Sequence, residues 1–448
     1  MTEKTKGNLF LYKSAVVASL AGFLFGFDTV VISGAEQAIQ QIWSLNGTMH
    51  GIAISMALWG TVIGALLGGL PTERLGRRST LLWIGLLYIV SAIGAAFASN
   101  VYFFMFSRFI GGVGIGVSTI AAPLFIAEIA PPKYRGRLAG MFQFNIVFGI
   151  LVAYLSNSLL ESVGENSWRW MLGVEALPAL IYAVFSFGLP ESPRWLIIHK
   201  KDRDGGLNVF RRVNSNATPE ELEKLVNEVE STSESNEKTS GFFNRKLLKP
   251  ILLAVFIAFF NQLSGINAIL YFAPRIFEMT GLESQAALLQ SVGIGITNLI
   301  FTFVGLWLID RLGRRTLLYI GSFGYILSLG LCSWAFSQEL YAIVPACIFS
   351  FIAAHAIGQG AVIWVFISEI FPNRYRAAGQ TLGSFTHWFF AASLTLVFPV
   401  MAEALSPSLI FGIFCGMMVL QLAWVRLMVP ETKGKSLEQI EKEYDLNA

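Results

Sequence analysis

ERLGRRST, running from Glu73 to Thr80, and DRLGRRTL, from Asp310 to Leu317, are two copies of one basic cassette 237 residues apart. Two more pairs repeat at almost the same spacing. EIAPPKYRGR begins at Glu128 and EIFPNRYRAA at Glu369, 241 residues on; PESPRW begins at Pro190 and PETKGKSLE at Pro430, 240 residues on. Three independent pairs at nearly one offset mean an internal duplication. Each half also carries six long apolar runs. A duplicated six-helix unit in a membrane is the architecture of a transporter.

Composition agrees. The 448 residues are 54% hydrophobic and 14% charged, which excludes an ordinary soluble domain of this length. A soluble protein with buried helices also fails on run length: residues 11–33, 51–70, 81–98, 138–160 and 171–189 are each near or above the roughly 20 residues that span hydrocarbon. The first run is too long for a cleavable signal peptide, and the other runs follow it. The net charge of +3 says little, but its distribution says much. Lys and Arg cluster before the first run, after every second run, and after the last, whereas the alternate loops hold few, mainly Arg169 and Arg275. Cation-rich loops face the cytoplasm. Both termini and the Arg cassettes are therefore expected there, in a multi-pass protein of the plasma membrane, the inner membrane in a Gram-negative cell. These charges need no nucleic-acid partner. Cys332, Cys347 and Cys415 lie in apolar runs with neither disulfide nor metal spacing, and the four histidines do not cluster, so no metal or cofactor is expected. Asn46-Gly47-Thr48 matches a glycosylation acceptor, a triplet frequent by chance.

The pattern predicts twelve helices, near 11–33, 50–71, 80–98, 101–127, 138–160, 170–189, 247–272, 286–309, 316–337, 341–369, 377–400 and 407–428. The stretch between the halves is polar, charge-rich at 200–213 and 219–230 and Ser/Glu/Lys-rich at 231–240. It reads as short amphipathic surface helices and a flexible linker. Thr218 is the expected cap of the helix that begins at Pro219-Glu220-Glu221. The expected division is a six-helix bundle over 1–190, a cytoplasmic helical linker over 191–246, a second six-helix bundle over 247–430 and a cytoplasmic tail over 431–448. The fold class is an all-α membrane protein of twelve transmembrane helices in two pseudo-symmetric bundles.

Several predicted helices contain glycine: Gly22, Gly26 and Gly34 in the first, Gly111, Gly112, Gly114 and Gly116 in the fourth, Gly265 ahead of Pro274 in the seventh, Gly358 and Gly360 in the tenth. Helix breaks at matching places in two halves point to a midplane site; small residues also serve close helix packing. Packing is favoured for the fourth helix. A site is favoured for the seventh and tenth, where amides and a tryptophan adjoin the breaks. The Gly112-x-Gly114-x-Gly116 string lacks the strand and spacing of a nucleotide loop, and no Walker A sequence occurs, so gradients rather than ATP must supply the energy.

Asp28, Arg108 and Glu175 each lie mid-run on separate helices of the first half. Alone in lipid each is expensive, so the three are expected to face the protein interior and find partners. A carboxylate with a competing cation is a proton switch: protonated Asp28 releases Arg108, and Glu175 takes it. A static ion network that fixes helix packing would use the same residues, and the residues alone leave both readings open. Amides gather in the second half, at Asn261, Gln262 and Asn267, with Asn298 and Gln359 beyond; Gln143 and Asn145 lie in the first. Amides donate and accept without charge, which suits a neutral polyol such as a sugar. Tyr271, Phe272, Trp364 and Trp388 add flat apolar faces for a sugar ring. Single amides more often bind helix to helix, but three within seven residues beside a break favour a ligand. His387 has no nucleophile beside it, and no enzymatic constellation is present.

At these residues the chain resembles the sugar porter family of the major facilitator superfamily, over nearly its whole length. The resemblance rests on RLGRR (74–78), PESPRWL (190–196), NQLSGINAILYFAP (261–274), DRLGRR (310–315), SEIFPNRYR (368–376) and PETKGKSLEQIE (430–441). It implies that Gln143, Gln262, Asn267, Asn298 and Trp364 contact sugar and that Tyr271, with Phe272 beside it, belongs to an extracellular gate. It implies that Asp28, where proton symporters of the family carry aspartate and facilitators commonly asparagine, couples to protons with Arg108 and Glu175 as partners. It further implies an inner salt-bridge network of Arg74, Arg78, Arg135, Arg311, Arg315 and Arg376 with Glu128, Glu191 and Glu369. Asn261, Phe272, Gln359 and His387 depart from the family pattern. Asn261, Gln359, His387 and its neighbour Trp388 are expected at the pocket, so the choice of sugar does not carry over.

The expected function is sugar:proton symport of a hexose or pentose by alternating access, by a monomer in the lipid bilayer. The alternatives are a sugar uniporter in which Asp28 is structural, and a transporter-like sugar sensor, which would need a longer signalling tail. An offset of 239 sets Gly26-Phe27-Asp28 on Gly265-Ile266-Asn267, so the expected proton site and a sugar-binding amide occupy one position in the two halves.

Overall fold

The computed structural model describes residues 3–214, 217–234 and 241–434, and all regular structure among them is helical. Among the described residues, eleven segments are long and apolar enough to cross a membrane: Leu9–Gly34, Gly47–Leu67, Arg77–Ala96, Val101–Ile129, Gly140–Val163, Leu248–Tyr271, Ser284–Leu312, Arg314–Ser337, Tyr341–Ile370, Arg376–Ala404 and Pro407–Met428. The expected sixth helix is not continuous. It forms two pieces, Ser167–Gly173 and Ala176–Ser186, which part at Glu175. Pro178 lacks the N–H that would bond the Val174 carbonyl, and that carbonyl instead accepts the N–H of Leu177 at 3.1 Å, a tighter turn.

Glycine does two different jobs. The first helix, Glu3–Val31, runs unbroken through Gly22 and Gly26. Those residues let it lie against the Pro132–Leu160 helix backbone to backbone: a Cβ on Gly26 would stand 1.9 Å from the Ile146 carbonyl oxygen, and one on Gly149 2.2 Å from that of Phe23. Val101–Ile129 is also unbroken, and a Cβ on Gly116 would stand 2.4 Å from both the Ala65 nitrogen and the Thr61 oxygen. The seventh span, by contrast, is cut into Leu248–Leu263, Ile266–Tyr271 and Ala273–Glu278, with Gly265 left-handed at φ +88 between the first two. The tenth is cut at Gly358 into Val344–Ile357 and Gln359–Ile370.

The helices group by contact into two compact units. One holds Met1–Thr29, Gly60–Ile150 and Leu172–Lys238; the other holds Val30–Trp59, Leu151–Met171 and Thr239–Ala448, and so contains residues of both sequence repeats. In the first unit, Pro193–His199, Arg203–Val213 and Pro219–Glu234 form the polar insert, closed around Ile197, Phe210, Leu222, Val226 and Val229. Thr218 caps the last of them as expected, accepting the Glu221 N–H at 3.2 Å while Glu221 accepts that of Thr218 at 2.8 Å, a reciprocal capping box. Asn46 caps the Gly47–Leu67 helix by accepting the Met49 N–H at 2.8 Å. Residues 235–240 of the expected linker and 435–448 of the expected tail lie outside the described residues.

Candidate transport site

The sequence repeat returns as a repeated local geometry. In the first unit Gly76, at φ +94, leads into the Arg77–Ala96 helix, and Glu191 caps that helix by accepting the N–H groups of Arg77 at 2.8 Å and Arg78 at 3.1 Å. A carboxylate there satisfies orphan amides and meets the positive end of the helix dipole. Only glycine leaves room for it: a Cβ on Gly76 would stand 2.3 Å from a Glu191 carboxylate oxygen. Arg77 then reaches Glu128 through two parallel bonds of 2.9 and 2.8 Å. The second unit repeats each part. Gly313 sits at φ +91, Glu431 accepts the N–H groups of Arg314 and Arg315 at 3.0 Å each, and Arg314 reaches Glu369 at 3.0 and 2.7 Å. Thr432 adds a bond to Glu369 at 2.6 Å.

The carboxylates expected in this network, Glu128, Glu191 and Glu369, are thus all engaged. The bridging cations are Arg77 and Arg314, which the sequence reading passed over. Arg78 and Arg315 turn their side chains to the carbonyls of Phe187 and Arg426, at 2.7 and 3.0 Å. Arg74 and Arg311 are exposed, the latter over the Trp307 ring at 4.0 Å. Arg376 is half-buried, with Nε and Nη2 making no hydrogen bond to a described residue. The side chain of Arg135 lies outside the described residues. The missed signal was positional: the arginine directly after the glycine is the first residue of its helix, and the duplicated Pro-Glu pair supplies its cap.

The first unit also gathers the three charges expected mid-run, and Asp28, Arg108 and Glu175 are each at most 1% exposed. Arg108 Nη1 donates to Asp28 Oδ1, and Nη2 lies 3.2 Å from both Asp28 Oδ2 and the Asp28 carbonyl oxygen. Glu175 sits at the break in the sixth span, within electrostatic reach of both, and its Oε1 has no hydrogen-bond partner among the described residues. Fully buried Tyr88 borders the two carboxylates. Gly111 leaves the space open: a Cβ there would stand 2.3 Å from Ser91 Oγ and 3.9 Å from Asp28 Oδ1. One cation therefore faces two carboxylates and is clasped by the first. Burying such a group costs more than a packed apolar core, so it is weak evidence for stability and stronger evidence for a function.

The second unit gathers the amides. Asn267 Nδ2 donates to Gln262 Oε1 at 2.6 Å, and Gln262 Nε2 donates to Asn261 Oδ1 at 2.9 Å and lies 3.2 Å from His387 Nε2. The turn at Gly265 is what brings Asn267 back onto Gln262. The His387 ring lies 5.1 Å from Trp364 and 4.8 Å from Trp388. Six expected sugar-site residues thus converge, with amide and imidazole donors beside two indole faces. Asn298, half-buried, accepts from Thr302 at 3.4 Å. Gln143 is half-buried in the first unit. Gln359 belongs to a different chain of bonds: it donates to Gln421 at 3.0 Å, which donates to Ser322 at 2.8 Å. Tyr271 and Phe272 are fully buried, and Phe272 stacks on Phe398 at 4.8 Å.

A duplicated, multi-pass helical protein with these two clusters is a membrane transporter. Residues 14–444 match the family described as "Sugar (and other) transporter", and the chain belongs to that family, within the major facilitator superfamily. Its members are transporters, not enzymes. The chain is 34% identical over 442 residues to the arabinose-proton symporter of Bacillus subtilis (strain 168), covering 97% of this chain and 95% of that protein. It is 34% identical over 437 residues to the glucose transporter GlcP of Staphylococcus epidermidis, covering 96% and 97%. The inward-open structure of the xylose transporter XylE from E. coli matches with a TM-score of 0.86 at 30% identity, covering 97% of this chain and 99% of that one.

Proposed function

We propose that the chain carries a monosaccharide, a hexose or a pentose, into the cell together with one proton, by alternating access, from a cell membrane in which both its termini are cytoplasmic. The observation that carries this reading is the clasp of Arg108 on Asp28 with Glu175 in reserve. With both carboxylates ionised the cluster carries one negative charge in excess. A proton on Asp28 neutralises it and frees Arg108 for Glu175, so proton binding changes which helices the arginine ties together. The amide–imidazole–indole group around Gln262 supplies the uncharged donors, acceptors and flat faces that a sugar ring needs. A relative named as an arabinose-proton symporter supports both halves of the reading.

Coupling matters for physiology. A membrane potential of about 100 mV contributes about 2.3 kcal/mol per charge moved. At about 1.36 kcal/mol per tenfold, one proton supports roughly fiftyfold accumulation. The test is uptake by the purified protein in liposomes, with glucose, galactose, xylose and arabinose as competing substrates. An imposed pH gradient, acid outside, is expected to drive the preferred sugar uphill. Equilibration without accumulation would make the chain a sugar uniporter with a structural Asp28.

A further inference from the structure

The 239-residue offset that sets Asp28 on Asn267 also sets Glu36 on Arg275, and in the second unit these two residues meet. Arg275 Nε donates to Glu36 Oε1 at 2.8 Å and Nη2 to Glu36 Oε2 at 2.6 Å, and Nη2 also reaches Gln40 Oε1 at 2.6 Å. His50 Nε2 lies 2.7 Å from Glu36 Oε2. The side chains of Glu36 and His50 are wholly buried, and that of Arg275 is 20% exposed. Burial alone would raise the Glu36 carboxyl, but the His50 hydrogen bond and the Arg275 charge outweigh it and hold it below its ordinary range. An ionised Glu36 only accepts, which assigns the proton to His50 Nε2. A second tie runs alongside: Gln37 Nε2 donates to Glu278 Oε2 at 2.7 Å. Glu278 and Glu403 are the other carboxylates acting on Arg275, and Glu161 acts on Glu278.

Two features give this cluster its meaning. Equivalent positions of a duplicated chain can touch each other only close to the axis that relates the repeats. Had the repeats stayed alike there, two identical side chains would meet; here one copy carries Glu and the other Arg, and the contact is complementary. The cluster also adjoins the expected gate, since the His50 ring lies 6.3 Å from that of Phe272. A buried ion pair adds little stability beyond an apolar contact of the same shape, whereas losing one partner is costly, so such a pair suits a contact whose two sides part and re-form together.

We propose that Glu36, His50 and Arg275 are positioning residues of the transport cycle, a charge latch that ties the outer ends of the first and second spans to the seventh and parts each time the outer gate opens. The inference rests on the transport reading, but its test requires no sugar. Cys332, Cys347 and Cys415 are replaced, and spin labels are attached at the exposed positions Gln41 and Glu283 of the full chain in lipid nanodiscs. Pulsed dipolar spectroscopy then reads the distance between the labels. Glu36→Gln and Arg275→Gln are each expected to raise the ratio of long to short distances about tenfold or more. Arg275→Lys, which keeps the charge, is expected to stay nearer the parent. Unchanged distances in both single variants, with the protein monodisperse, would overturn the latch. So would an Arg275→Lys variant that stays folded but opens as far as Arg275→Gln. A latch that opens as expected in a protein showing no proton-driven uptake would leave this inference standing and remove the coupling reading alone.

Discussion

Asp28→Asn is the substitution whose consequence the charge cluster defines most sharply. It keeps the shape of the side chain and removes one of the two carboxylates that face Arg108. On the proposed reading Glu175 then balances Arg108 with no proton to be carried, so the variant holds the charge state that the parent reaches only when Asp28 is protonated. In liposomes with the potential clamped at zero and a pH difference of about one unit, one proton per sugar supports at most about tenfold accumulation, or about 1.36 kcal/mol. In the variant that ratio should fall to one. Exchange of labelled for unlabelled sugar, which needs no net proton movement, should stay within about threefold of the parent, a change of under 1 kcal/mol. Arg108→Gln should behave differently. It leaves two buried carboxylates and no cation, and breaking a buried pair in this way costs about 3–5 kcal/mol, so exchange and thermal stability should both fall. Uphill accumulation that survives in Asp28→Asn would refute the assignment of the proton. Accumulation near a hundredfold in the parent under the same gradient would mean two protons and refute the charge count.

Gly76→Ala and Gly313→Ala each force a side chain into left-handed backbone and against a capping carboxylate, 2.3 Å from Glu191 or 2.5 Å from Glu431. Each should cost about 1–3 kcal/mol, read as a lower thermal midpoint in detergent. Gly116→Ala should separate the second and fourth spans at about 1–3 kcal/mol of overpacking and impair transport, because Arg108 rides on the same helix; Gly140, which has nothing within 4 Å of its would-be Cβ, gives the neutral control. His387→Gln should reorder the sugar competition series and change KM while leaving the proton-to-sugar ratio alone; an altered ratio would place His387 in coupling instead. Because the folded-state pKa of Glu36 is depressed from 4.5, its contribution is present above that value and is lost as pH falls through the folded value. The Glu36 side of the latch should therefore weaken only as pH falls below the ordinary carboxylate range, read as a lengthening of the label distance there.

The fold was legible because duplication is written directly in the letters: three motif pairs at one offset fix the repeat before any helix is assigned. The seventh-span site was legible because three amides beside a glycine are unusual in an apolar run. The two roles of glycine were not separable in advance. Gly26 and Gly265 look alike in sequence, yet one takes the carbonyl of a crossing helix and the other a left-handed turn. The break at Glu175 had a signal in Pro178, but proline is tolerated within spans and does not by itself predict a divided helix. Arg77 and Arg314 were missed because adjacent arginines compete for one role, and helix phase decides which turns inward. Gln359 is expected at the pocket as one of the amides and as a departure from the family pattern; its hydrogen bond runs to Gln421. Arg275 stands out in the sequence as one of the few cations of the alternate loops, and the repeat offset is what sets Glu36 against it.

The most direct test of the central claim is proton movement caused by sugar. The protein is reconstituted into tightly sealed liposomes with equal pH on both sides, the potential is clamped at zero, and the preferred sugar is added outside while external pH and labelled sugar uptake are followed together. The account predicts that the medium turns alkaline on sugar addition, with one proton taken up per sugar, and that Asp28→Asn admits the sugar with no change in pH. Sugar entry through the parent protein with no accompanying proton uptake would contradict it.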